Sequence, residues 1–252
     1  MYKKTAIAAT IAATTTLMLI VGGCAATGTD KPAAVAASKP AASSGKVDYT
    51  KMTPEALAEY LIFEANGFKL DQATQEGTTG RERITQDELQ KACSALRDQP
   101  IDGDTAVKVS TIARNSMKYP EGGIKLGDWR KGGDLAWSGF GYRFGHNNDD
   151  HSKGDPGGNC YNCHQLATDR TGGTIGPSLT GYGRVRGNSE AMLKYTYEMI
   201  YNPHAYFPCT RMPRMGASGY LRQDQIADIM AYLFDPASPV NKLPADPDSP
   251  VK

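Results

Sequence analysis

Gly157-Gly158-Asn159-Cys160-Tyr161-Asn162-Cys163-His164 decides how this chain folds. Two cysteines separated by two residues, with a histidine directly after, form a haem c attachment motif. The spacing serves the chemistry. Thiols one helical turn apart reach the two vinyl groups of a porphyrin and form thioethers, and the adjacent imidazole meets the iron as proximal ligand. A zinc site would want a second ligand pair at short spacing, and none follows. A thioredoxin-like CxxC would want strands alternating with helices, and no such alternation surrounds the motif. Fifteen of the 27 glycines lie between residues 121 and 181. So glycine-rich a segment folds when much of its core is the haem itself.

Working outward, Thr174-Ile175-Gly176-Pro177-Ser178-Leu179 resembles the GPxL stretch of class I cytochromes c. In that family the proline carbonyl accepts the proximal histidine's second N–H, which fixes the ring and tunes its basicity. The resemblance therefore puts Pro177 behind His164, with Gly176 letting the backbone approach the ring. Pro208-Cys209-Thr210-Arg211-Met212-Pro213-Arg214-Met215-Gly216 resembles the distal loop of the same cytochromes, and Met212 is the expected sixth ligand. A thioether favours reduced iron more than a second imidazole does. Met215 is expected to pack the pocket. His204, in a loop after Pro203, is the bis-histidine alternative, and His146 and His151 lie in a polar, solvated stretch.

The remaining pattern is helical. Thr53-Pro54-Glu55 opens one helix to about Asn66, with an N-cap, a first-turn proline and a first-turn acid. Thr85-Gln86-Asp87-Glu88 reads as a capping box before Leu89, Ala92, Cys93 and Leu96. A third helix is expected from Asp104 to Met117. Around the motif, helices are expected from Asp134 to about Phe144, from Asn188 to Tyr201 and from Gln223 to Leu233. The last carries Ile226, Ile229, Met230 and Leu233 on one face. The expected fold is all-α: a class I cytochrome c-like domain over 127–241, with its first and last helices crossing, behind a helical extension over 47–126.

The chain begins as an exported one. Lys3 and Lys4 precede a short run of small and apolar residues from Ala6 to Val21, which reads as a secretory signal over residues 1–23 and not as a membrane span. Its end, Leu19-Ile20-Val21-Gly22-Gly23-Cys24, resembles the bacterial lipobox, so Cys24 is the expected lipidated N-terminus; ordinary cleavage downstream, after Ala34-Val35-Ala36, is the alternative. Residues 24–46 hold almost no large apolar side chain and read as a tether, and 242–252 as a tail. The whole chain carries a formal charge of +1, which rules out a strongly basic nucleic-acid binder.

Five cysteines cannot all pair with one another. With Cys24 given to lipid and Cys160 and Cys163 to haem, Cys93 and Cys209 remain. In an oxidising compartment two spare cysteines often pair, which would tie the extension to the distal loop. A buried Cys93 thiol, or a reactive Cys209 thiolate beside the haem, are the other readings.

Together these stretches, with Tyr201-Asn202-Pro203 and Gln225-Ile226-Ala227-Asp228-Ile229-Met230-Ala231-Tyr232-Leu233, resemble SoxX, the monohaem cytochrome c subunit of thiosulfate-oxidising SoxAX complexes. The resemblance covers about residues 127–241. It implies one covalent haem c on Cys160 and Cys163, with axial ligands His164 and Met212 and no acid, base or nucleophile of its own for sulfur chemistry. A SoxA-type subunit would carry the catalytic haem and join thiosulfate to a cysteine of the carrier SoxYZ, an L-cysteine S-thiosulfotransferase reaction. This chain would accept the released electrons and pass them to a soluble cytochrome c in the periplasm. A free-standing, lipid-anchored shuttle to a terminal oxidase is the rival. The SoxX reading expects an apolar patch around Tyr206, Phe207 and Trp137.

Overall fold

In this computed structural model, which describes residues 47–74, 77–97, 99–138 and 156–242, short polar side chains fix where most helices begin. Helix α1 (Pro54–Glu59) starts where Thr53 accepts the Ala56 N–H. It continues as a π-turn over Tyr60–Glu64 and does not run to Asn66 as a single α-helix. Helix α2 (Gly80–Ile84) was not expected; Thr79 and Glu82 cap it reciprocally. Thr85 closes α2 and does not open the next helix. Asp87 does that, exchanging hydrogen bonds with Gln90 at the start of α3 (Glu88–Ala95). Helix α4 (Gly103–Asn115) begins at Asp102, whose carboxylate accepts the Thr105 N–H at 2.9 Å.

Helix α5 (Trp129–Trp137) begins ahead of the expected Asp134 because Asp128 caps it, accepting the Arg130 N–H at 2.8 Å. It ends at Trp137, where Ser138 turns extended; Phe144 lies outside the described residues. Helices α6 (Tyr182–Arg186), α7 (Glu190–Tyr201) and α8 (Gln223–Phe234) complete the fold. The fold is all-α. Among the described residues the only β-pairing is an isolated bridge between Ala73 and Thr79, and no helix is long and apolar enough to cross a membrane. The expected signal, Cys24, the whole of the tether, His146, His151 and the tail beyond Lys242 lie outside the described residues.

Helices α5 and α8 cross at backbone contact. A Cβ on Gly132 would stand 1.8 Å from the carbonyl oxygen of Asp228, so only glycine fits. The chain leading into α5 is pinned to α8 as well: the Gly127 N–H donates to the Ala227 carbonyl at 3.0 Å, and the Asp128 N–H to the Asp228 carboxylate at 2.7 Å. The expected stripe of Ile226, Ile229, Met230 and Leu233 is buried, and so are Tyr232 and Phe234. Helix α8 is thus covered on several sides, by α5, α6, α7 and the turn Pro239–Asn241. Each such side chain contributes about 1.5–3 kcal/mol by leaving water, which makes α8 the axis of the domain.

The extension builds a second, smaller core. Leu89 of α3 and Val109 and Ala113 of α4 close over Ala205, in the turn Pro203–Ala205. Its last residues are held by side chains from the haem domain. Asn202 Nδ2 donates to Ser116 Oγ at 2.9 Å, the Tyr197 hydroxyl to the Lys118 carbonyl at 2.7 Å, and Gln223 Nε2 to the same carbonyl at 3.1 Å. From Tyr49 onward the described chain is one compact unit.

Candidate haem site

The attachment motif is shaped by its own backbone. Asn159 adopts a left-handed conformation (φ 54), which asparagine tolerates better than most residues, and turns the chain into the single 3₁₀ turn Cys160–Asn162. The Cys163 and His164 N–H groups both donate to the Cys160 carbonyl, at 3.1 and 2.9 Å. The two thiols are therefore one turn apart, half-buried and not bridged. Burial pushes the Cys160 thiol up to about 11, so it is neutral before attachment.

A second stretch is zipped onto the first. Alternate carbonyls of the motif, those of Tyr161, Cys163 and Gln165, accept the N–H groups of Gly173, Gly176 and Leu179 at 2.7, 2.7 and 2.8 Å. Gln165 fastens the turn between them: its side chain accepts the Gly172 N–H at 2.7 Å and donates to the Arg170 carbonyl at 2.7 Å. This zipper carries Pro177 to the proximal histidine, whose Nδ1–H donates to the Pro177 carbonyl at 2.8 Å. A Cβ on Gly176 would stand 2.3 Å from His164 Cε1. The ring is thus fixed with Nδ1 occupied and Nε2 free to ligate. The residues fit a covalently held haem. Among the described residues no group of three or more His, Cys, Asp or Glu side chains could itself hold a metal ion.

Trp137 and Tyr220 buttress the motif from outside. The Trp137 ring stacks on Tyr161 at 5.3 Å, its N–H donates to the Tyr232 hydroxyl at 2.7 Å, and Arg170 lies over its face. The Tyr220 hydroxyl donates to the Gly157 carbonyl at 2.9 Å. Trp137 is therefore packed and bonded, whereas Tyr206 and Phe207 are exposed at 40% and 54%. Ile175, beside Gly176, is also exposed.

On the expected distal loop Met212 is half-buried, and Met215 packs against the main core. His204 is buried, in the turn Pro203–Ala205 and not in an open loop. Its Nδ1 accepts the Cys209 N–H at 3.0 Å, and burial and Arg214 lower its pKa, against a smaller opposing pull from Asp87. A neutral imidazole that accepts at Nδ1 carries its proton on Nε2 and has no lone pair left for iron. That geometry tells against the bis-histidine alternative. Cys93 and Cys209 are bridged, with their Cα atoms 5.3 Å apart.

Sequence reasoning missed one cluster. Glu198 is buried and accepts from the Tyr119 hydroxyl, the Tyr206 hydroxyl and Lys194 Nζ, so it links the extension, α7 and the segment ahead of the distal loop. Burial alone would raise its pKa, but the bonds from Lys194, Tyr119 and Tyr206 outweigh it and the carboxyl lies below its usual range. Burial and the same carboxylate push Tyr206 up to about 12. Nothing local marks it, since Glu190 lies in the same helix and the partners of Glu198 lie up to 79 residues away.

Comparison with known proteins agrees with the geometry. The cytochrome c family matches residues 157–235. An uncharacterized lipoprotein of Aquifex aeolicus (strain VF5) is 43% identical over 159 residues, which make up 62% of this chain and 73% of that protein.

Proposed function

This chain belongs to one family with that Aquifex lipoprotein and carries a cytochrome c domain, and on that premise we propose that it is an exported, lipid-anchored, monohaem electron relay. The observation that carries the redox reading is the Nδ1–H bond from His164 to the Pro177 carbonyl at 2.8 Å, behind a motif whose two thiols are unpaired. Bound haem supplies a one-electron couple. Cys160 and Cys163 hold it through thioethers, and His164 Nε2 ligates its iron. The Pro177 carbonyl keeps a partial negative charge behind the imidazole and raises its basicity. Met212 is the distal thioether. The lipobox ending at Cys24, together with a relative named as a lipoprotein, supports a membrane surface as the working place, because two or more acyl chains anchor stably.

The specific role proposed is that of the SoxX-type subunit: a SoxA-type partner performs the sulfur–sulfur chemistry on SoxYZ, and this chain takes the electrons onward to a soluble cytochrome c. The sequence stretches from Gly157 to Leu179 and from Gln225 to Leu233 support that reading. Exposed Tyr206 and Phe207 offer the apolar contact it needs. Two measurements test the proposal. The pigment of protein matured in a periplasm stays with the polypeptide in acidified acetone, and the oxidised spectrum of Met212→Ala lacks the thioether-to-iron band. Purification from thiosulfate-grown cells brings down a second haem subunit; recovery alone turns the reading to the free-standing shuttle.

A further inference from the structure

We infer that the helical extension is a two-point clamp on the distal loop and positions the Met212 thioether, an inference that rests on Met212 being the distal ligand. Both points lie on α3. Cys93 in its last turns is bridged to Cys209, three residues before Met212. Asp87, its N-cap, pairs with Arg214 Nη1 at 2.7 Å, two residues after Met212. The Arg214 side chain is only 17% exposed, so this pair is shielded from water on one side. Between the two anchors run five peptide units, at most ~18 Å of extended chain, and Met212 sits inside that arc.

The bridged residue is itself over-determined. Cys209 has φ 59, a left-handed conformation that a non-glycine residue keeps only when its surroundings hold it. The disulfide holds its side chain, and His204 Nδ1 holds its N–H at 3.0 Å from a turn against which α4 packs. The sequence pattern of class I haem domains assigns no such role to residues so far upstream of the motif. Here the protein reaches back 116 residues from Cys209 and 127 from Arg214 to fix one short loop. The disulfide also borders a groove of about 370 Å³ lined by Arg97, Gln99, Ile101 and Arg211, so a thiol reductant can reach it in the folded protein.

Three forms of the holoprotein test the clamp: Cys93→Ser/Cys209→Ser, Asp87→Asn, and wild type reduced without denaturant, alkylated and reoxidised at the iron. Asparagine keeps the N-cap but removes the charge facing Arg214. In the mature protein the haem thioethers resist the reductant, so alkylation marks Cys93 and Cys209. The readouts are the thioether-to-iron band, the midpoint potential and the apparent affinity for added imidazole, which competes for the distal position. A looser loop leaves that position open for a larger fraction of time, and apparent affinity rises in proportion to the fraction. Roughly tenfold tighter imidazole binding with a weaker band and a lower potential is expected for the disulfide variant and the alkylated protein, and a smaller shift for Asp87→Asn. Thr79→Ala, which weakens the α2 cap away from the loop, is expected to leave all three readouts at wild-type values. Wild-type readouts in all three clamp forms overturn the clamp alone, as does an equal shift in Thr79→Ala. A wild-type spectrum without the band overturns the Met212 assignment and the clamp together.

Discussion

Replacing Gly176 by alanine tests the proximal geometry directly. The added Cβ would lie 2.3, 2.6 and 2.9 Å from His164 Cε1, Nδ1 and Nε2. Because three ring atoms are close at once, turning the imidazole about its own bond gives no relief. Carbon atoms rest at about 3.5 Å or more, so the ring or the backbone must translate by roughly 1 Å. A ring moved that far from Gly176 leaves the Pro177 carbonyl, whose bond of 2.8 Å is stretched beyond hydrogen-bond range. Overpacking costs about 1–3 kcal/mol, and the lost hydrogen bond about 0.5–1.5 kcal/mol. The sum, about 1.5–4.5 kcal/mol, corresponds to a fall in Tm of roughly 3–18 °C for a chain of this size. The assay is guanidinium unfolding of oxidised holoprotein, followed by haem absorbance and far-ultraviolet dichroism. The midpoint potential should rise, since an imidazole released from the carbonyl is less basic and stabilises oxidised iron less. Gly103→Ala is the control, because a Cβ there meets nothing within 4 Å and the residue opens α4; it should be neutral or slightly stabilising. Stability within about 0.5 kcal/mol of wild type, with an unchanged potential, refutes the reasoning.

Two further outcomes separate competing effects. Gly132→Ala should gain about 1 kcal/mol from helix propensity alone, yet its Cβ would meet the α8 backbone at Asp228, which has no rotamer to yield. A net loss of about 3 kcal/mol or more in a urea melt is expected, and a gain would mean that the α5–α8 crossing is not backbone to backbone. For Glu198, the folded pKa is lowered from 4.5, so its contribution is full above pH ~4.5 and fades as pH falls through the folded value. Glu198→Gln should therefore cost about 1.5–3 kcal/mol at pH 7, and unfolding curves of variant and wild type should converge as the medium is acidified below pH 4.5. A gap that stays constant down to pH 3 rules out the ionised carboxylate as its source.

The proximal half of the site was legible because it is local. Cys160, Cys163, His164, Gly176 and Pro177 fall within 18 positions, and their hydrogen bonds run between carbonyls and amides whose spacing the chain itself dictates. The core stripe of α8 was legible for the same reason: periodicity within one helix states which face is apolar. Helix starts were less so. Thr85 and Asp134 are plausible openings in isolation, but Asp87 accepts the Gln90 N–H and Asp128 the Arg130 N–H, and Asp128 is itself fixed through its N–H by Asp228, one hundred positions on. Glu198 and Arg214 could not be read at all. Each looks like an ordinary surface charge until Tyr119, Tyr206 and Asp87 are brought to it by tertiary packing.

That difference in range carries a physical consequence for the two faces of the iron. Bonds between neighbouring segments cost little chain entropy to close, so the His164–Pro177 arrangement survives wherever the motif and its zipper are formed. The distal loop has local bonds on either side of Met212, from the Thr210 N–H to the Phe207 carbonyl at 3.0 Å and from the Ser218 N–H to the Arg214 carbonyl at 2.9 Å, but the bond at Met212 itself is a long one, from its N–H to Thr210 Oγ1 at 3.4 Å. Its long-range anchors come from α3, which packs on α4 and Ala205, while bonds from Asn202, Tyr197 and Gln223 hold residues 116–118 just after α4. A thioether is a weak, neutral ligand that cannot pull a loose loop into position by charge. Under the proposed Met212 ligation its retention depends on how far the loop is confined beforehand, and part of that confinement comes from Cys93 and Asp87 of the extension. On the proposed clamp, the extension would act on the same quantity as the axial ligand does, the relative stability of oxidised and reduced iron, although none of its side chains is expected to touch the metal.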